Sequence, residues 1–195
     1  MTDTVIELAE QFKRALIAKD MAAEKRLINA YSGLYARVRD LADALVLEIA
    51  GSEEMTPAQV QRMKRYGELM TRINDEMKDY TAFSRVEMST AAREAIRMGE
   101  GNARALIGMS LGDAALAGKF NALNPAVIEK LLGFLDPSGP LYDKLSKLGG
   151  WTADQVSQAI IEGVGLGKNP RTTAAMLTKT LKDGITDRLG MGLTD

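Results

Sequence analysis

The chain has 195 residues, 46% hydrophobic and 26% charged, which is the composition of a folded globular protein. Lysine and arginine number 25 against 26 aspartate and glutamate, so a net charge of -1 excludes bulk attraction to nucleic acid or acidic membranes. Neither cysteine nor histidine occurs, which excludes disulfides, thiol nucleophiles, Ser-His-Asp triads and zinc or haem ligated through those residues, and the missing disulfides suit a reducing compartment. The N-terminus, M-T-D-T-V-I-E-L-A-E, carries acids inside its apolar run and does not read as a signal peptide. No run approaches roughly 18 uninterrupted apolar residues, so no membrane span is expected.

After a cap at Asp3 or Thr4, Val5, Leu8, Ala9, Phe12 and Leu16 keep helical spacing, and no glycine or proline stops the pattern at Lys19-Asp20. From Leu27, the positions Tyr31, Leu34, Val38, Leu41, Leu45 and Ile49 alternate steps of three and four, the seam of a coiled-coil-like pair. Gly51 ends the helix. Thr56-Pro57-Ala58-Gln59 restarts one with a capping box and a first-turn proline, and Val60, Met63, Tyr66, Met70, Ile73, Met77, Tyr80 and Phe83 form its seam. So short a connection makes the two helices antiparallel, and a long αα-hairpin is predicted within residues 1–98.

Gly99-Glu100-Gly101 reads as the end of that hairpin, with Asn102 capping a piece through Ile107. Residues 99–150 are predicted to be short, glycine-punctuated helices. Asn124-Pro125 opens one, Asp136 to Pro140 is a turn, and Leu141 to Leu148 is another short helix. Residues 151–185 read as helix, tight turn, helix. Thr152 and Gln155 form a capping box, and Val156, Ala159, Ile160, Gly163 and Val164 share one face. Gly165 and Gly167 stop the first helix, and Asn169-Pro170 starts the second, with Ala174, Leu177, Leu181 and Ile185 on its apolar side. Residues 186–195 lose periodicity and are expected to fray unless a partner orders them. No run alternates as a strand would, so the fold class is all-α: a long antiparallel helical hairpin followed by a bundle of shorter helices.

Carboxylates are the catalytic groups that remain, and Glu53-Glu54, Asp75-Glu76 and Asp183 with Asp187 are their visible pairings. The first lies in an exposed turn, the second on the polar side of a helix, and the third reaches into the tail. None has the burial or cleft that tunes a catalytic pKa, so no enzyme activity, cofactor or metal is expected. No Walker pattern accompanies Gly108, Gly112 and Gly118. Met63, Met70, Met77 and Met88 fit core filling, and also an adaptable surface for a partner helix. Lys25-Arg26 and Lys64-Arg65 read as solvated faces that could touch phosphates. A basic stripe of Lys168, Arg171, Lys179, Lys182 and Arg188 on the C-terminal hairpin is the candidate DNA-facing surface. The exposed side of the hairpin's second helix is mostly lysine and threonine rather than base-reading Arg, Asn and Gln, and Asp183 and Asp187 dilute the field.

Two segments resemble the N-terminal helical region of phage minor head proteins, the head-morphogenesis group related to the F protein of phage Mu. One is Phe120-Asn121-Ala122-Leu123-Asn124-Pro125 with Val127-Ile128 and the Leu131-to-Phe134 helix. The other runs from Gly163 through Gly167, Asn169, Pro170 and Arg171 to Ala174, similar to that group's G-x-x-x-G-x-N-P-R segment. The chain departs from the group where a further domain would open with a segment like A-R-T-E, since no such segment follows. The resemblance implies a bacteriophage virion protein in multiple copies at the portal vertex inside the capsid, assembled in the host cytoplasm. Its partners would be the portal protein, other head proteins and packaged double-stranded DNA. It would aid head assembly, packaging or ejection, with Met63, Met70, Met77 and Phe120 as candidate partner-binding residues. The alternative is a helical nucleic-acid-binding protein using the basic face of the C-terminal hairpin.

Overall fold

The computed structural model describes residues 2–52, 55–111, 140–168, 172–177 and 179–180. Among them the fold is all-α: α1 (Thr2–Ala50), α2 (Pro57–Gln61), α3 (Lys64–Leu111), α4 (Pro140–Gly165) and α5 (172–177), with no strand. None of these helices is long and apolar enough to cross a membrane. The chain divides into two compact units, each made of separated stretches of sequence: Met1–Leu27 with Phe83–Asp143, and Ile28–Ala82 with Lys144–Asp195. α1 and α3 each contribute to both units, which therefore interleave the segments predicted in sequence order; the predicted boundary at 185 lies outside the described residues.

α1 begins at Thr2, ahead of the predicted cap at Asp3 or Thr4, and passes Lys19-Asp20 without a break, as no residue there opposes helix. It ends where predicted, the Gly51 N–H donating to the Leu47 carbonyl at 3.1 Å and Ser52 N–H to that of Ile49 at 3.3 Å. At Thr56 the capping box forms: Gln59 N–H donates to Thr56 Oγ1 and Thr56 N–H donates to Gln59 Oε1 at 2.7 Å. The helix it opens lasts only five residues, whereas the sequence predicts one long helix from Pro57. Packing explains the break at Arg62 and Met63. Val60 and Leu69 are both fully buried, yet nine residues apart they would point in opposite directions on a continuous helix. Breaking it lets both turn inward.

α3 then runs 48 residues, straight through Gly99 and Gly101, so the predicted stop there is not made and Asn102 lies inside a helix. The flanking sequence, A-A-R-E-A-I-R-M before and A-R-A-L-I after, is rich in strong helix formers, and the Glu100–Arg104 pair at 2.5 Å spans the weak point. No atom lies within 4 Å of a Cβ built on either glycine. Gly101→Ala is therefore expected to raise stability by about 0.5–1 kcal/mol, read as a higher midpoint in urea at unchanged slope.

α4 likewise merges two predicted elements. It starts at Pro140 and continues through Gly149-Gly150, which places Thr152 in mid-helix and buried rather than at an N-cap. Its predicted face is correct, with Val156, Ala159 and Ile160 buried. They join Tyr31, Leu34, Val38, Ala42, Leu45 and Val46 of α1, Leu69, Ile73, Met77 and Tyr80 of α3, and Leu177 of α5 in one core. Ala42 and Val46 widen the α1 stripe beyond a two-helix seam, which is what burial of a third helix requires. On α3 the predicted seam residues Ile73, Met77 and Tyr80 lie in this core, and Tyr66 and Met70, with Met63 just before the helix, pack against it. Leu69 replaces Met70 as the fully buried residue, and Phe83 is exposed. The second helix start at Asn124-Pro125, the turn at 136–139 and the tail 186–195 lie outside the described residues.

Candidate functional site

The C-terminal hairpin, with α4 as its first arm, is built around a close crossing. Val156 and Ile160 bury one side of α4, and Gly163 continues that side to the point where α5 passes. A Cβ at Gly163 would lie 2.5 Å from both Cγ2 and Oγ1 of Thr173, so only glycine fits. The helix then closes by a double bond pattern: Lys168 N–H donates to the Gly163 carbonyl at 2.9 Å and Gly167 N–H to that of Val164 at 3.0 Å. Gly167 takes φ +58°, the left-handed conformation that closure requires. The predicted stop is thus a Schellman cap, while Asn169-Pro170 lies outside the described residues.

Beside this turn lies a groove of about 550 Å³, walled by Val46 and Ile49 of α1, Met55 of the following turn, Pro57 at the start of α2, and Val164. Among the described residues, Lys168 is the charged one on its lining. Its Nζ donates to Glu162 Oε1 at 3.3 Å and approaches Met176 Sδ at 3.3 Å. Leu166, between the groove-lining Gly165 and Gly167, is 63% exposed, and Leu47 at the end of α1 is 71% exposed. The sequence signal for an exposed Leu166 is an apolar residue held between the two glycines that stop the helix.

Of the candidate DNA-facing residues, Lys168 is engaged by Glu162 and Lys179 is exposed, while Arg171, Lys182 and Arg188 lie outside the described residues. Of the candidate partner-binding residues, Met63 and Met70 are half-buried against the core and Met77 is fully buried, so Met77 offers no surface. Its side chain fills the seam instead, the packing role a thioether also suits. Phe120 lies outside the described residues. The dipeptides singled out as phosphate contacts are largely occupied within the fold: Arg26 meets Glu87 at 2.7 Å, Arg65 meets Glu48 at 2.8 Å and Lys64 meets Glu68 at 3.5 Å.

The residue most at odds with the sequence reading is Glu76. Predicted on a polar face, it is 6% exposed. Arg37 clasps it with both ends of its guanidinium, Nε to Oε1 at 2.7 Å and Nη2 to Oε2 at 2.5 Å, and Arg72 adds a contact at 2.6 Å from one turn away. Those bonds from Arg37, then its charge and that of Arg72, hold the carboxyl below the usual glutamate range against the opposing effect of burial. A carboxylate depressed in the folded state gives stability that is present above its unfolded pKa, about 4.3, and lost as pH falls through the folded value. Thermal midpoints of the wild type and Glu76→Gln measured from pH 6 downward are accordingly expected to converge below about pH 4. Nearby, Tyr31 and Tyr80 meet edge to face at 5.5 Å, and burial followed by its tyrosine neighbours pushes the Tyr31 hydroxyl's pKa up.

Among the described residues, fold and site together define an all-α protein with a groove of mixed apolar and polar lining beside the turn after α4. No family model, curated protein or solved structure matches the chain.

Proposed function

We propose that the protein is a structural, non-enzymatic component of a tailed-phage virion, a minor head protein that docks on the portal vertex inside the capsid and aids assembly, packaging or ejection. The observation that carries this reading is the coincidence of motif and geometry at the C-terminal hairpin. The G-x-x-x-G segment by which the chain resembles the minor head group supplies both the Gly163 crossing and the Gly165-Leu166-Gly167 turn beside the groove. A groove walled by Val46, Ile49 and Val164, with exposed Leu166 nearby, suits an apolar segment of a partner protein. The nucleic-acid reading draws less support, because Lys168 already has a carboxylate partner and the helix-paired arginines are occupied. It would operate in the host cytoplasm during assembly and in several copies per virion.

The test is co-expression with the portal protein of the same genome, followed by native mass spectrometry. A defined complex with a portal ring, lost in Leu166→Asp, is the expected result. A chain that stays free of the ring and instead shifts a DNA duplex, with affinity falling steeply with salt, would overturn the proposal.

A further inference from the structure

Each unit records the same opposed register of α1 against α3. In the unit holding the N-terminus, Lys19 meets Glu94 and Arg26 meets Glu87; seven residues forward on α1 match seven back on α3. In the other unit, Arg37 meets Glu76 and Glu48 meets Arg65, eleven forward against eleven back. Continued toward the turn, these steps set Ala50 level with Met63. The hairpin therefore begins at α3, and α2 stands outside the pairing.

A simpler hairpin is available to this sequence. If α2 and α3 fused into one helix from Pro57, Ala50 would face about Pro57, and α3 would shift by six or seven residues against α1. The apolar seam does not forbid a shift of seven, because Met63, Met70 and Met77 repeat at that interval, as do Tyr66, Ile73 and Tyr80. Charge does. Shifted by seven, Arg37 would face Leu69 and Glu76 would face Ala30, which strips the buried carboxylate of its two-pronged partner. Shifts of eleven also keep the helix face, and they bring like charges together: Arg37 on Arg65 in one direction, Glu48 on Glu76 in the other.

We propose that the Arg37–Glu76 pair selects the observed register, with α2 folded out of the hairpin, over one slipped by seven residues in which α2 and α3 are fused. Val60, buried on the short helix, holds the selected arrangement from the turn side, and Glu76 holds it from within the hairpin.

Because the chain has no cysteine, spin labels can be placed at introduced cysteines alone. Labels at the exposed Asp43 of α1 and Asp75 of α3 lie five residues apart along the hairpin in the observed register and twelve apart in the slipped one. The difference is an axial displacement of about 10 Å. In otherwise wild-type protein a single distance is expected by pulsed dipolar spectroscopy. In Arg37→Met and in Glu76→Gln a second, longer distance is expected at unchanged or higher helix content. A single wild-type distance in both variants overturns the proposal, since turn and packing would then fix the register unaided. Loss of helix content in both also overturns it, because the pair would then support the fold as a whole without choosing between registers.

Discussion

Leu69→Ala is expected to lower stability by about 2–5 kcal/mol, and Met70→Ala by much less. Leu69 is fully buried in the core cluster, whereas its neighbour Met70 is only half-buried at the cluster's edge. Truncating Leu69 removes apolar contact and leaves a cavity among Ile73, Val60 and the α1 side chains that α1 and α3 are too tightly paired to collapse. At Met70 the remaining side chains can close over a shallower loss, and water can enter the rest. The comparison is direct in urea, where midpoint and slope are read for both variants: a large fall for Leu69→Ala at constant slope, and a small one for Met70→Ala. Equal effects would mean that the core face of α3 passes midway between them.

Gly163→Ala is expected to cost about 1–3 kcal/mol by overpacking, a fall of several degrees in thermal midpoint for a chain of this length. The added methyl group would meet Thr173 Cγ2 and Oγ1 at 2.5 Å and its Cβ at 3.0 Å. Thr173 is itself buried and β-branched, so few rotamers let it retreat. The double variant Gly163→Ala with Thr173→Ala should therefore lose less than the two single losses combined, a positive coupling that places the clash between these two residues. Gly101→Ala, where no neighbour approaches, serves as the control with the opposite sign.

These two expectations mark what could and could not be read from the chain. Turn chemistry was legible: the Thr56 capping box, the Gly51 stop and the Gly165-Gly167 closure depend on local residues and sit where the sequence puts them. The α1 seam was legible because leucine, valine and isoleucine at threes and fours leave one face to bury. Glycine as a helix stop misled at 99–101 and 149–150, since neither site pairs its glycine with a left-handed closure and the flanking residues favour helix. The break after Gln61 has no local signal at all. It follows from burying Val60 and Leu69 on one side, a demand that becomes visible only once α1 is in place.

Glu76 was missed for a related reason. A glutamate flanked by Asp75 and close to Lys78 and Asp79 reads as part of a solvated face, and burial without Arg37 would indeed be costly. Its partner lies 39 residues away in sequence. The groove was missed because its walls come from two stretches far apart in the chain, 46–57 and 164–173, neither of which carries a motif for it.

The paired charges also imply an order of assembly. Glu48 and Arg65 bracket a short connection, so bringing them together asks little loop entropy of the unfolded chain. Arg37 and Glu76 are 39 residues apart, and Arg26 and Glu87 are 61 apart, yet once the first contact has formed each later one extends a helix pair already begun. The hairpin should accordingly close from its turn outward like a zip, with the capping box at Thr56 and the burial of Val60 among the earliest events. Slowing of folding by a substitution in α1 or α3 should then diminish with distance from the turn, while its acceleration of unfolding grows.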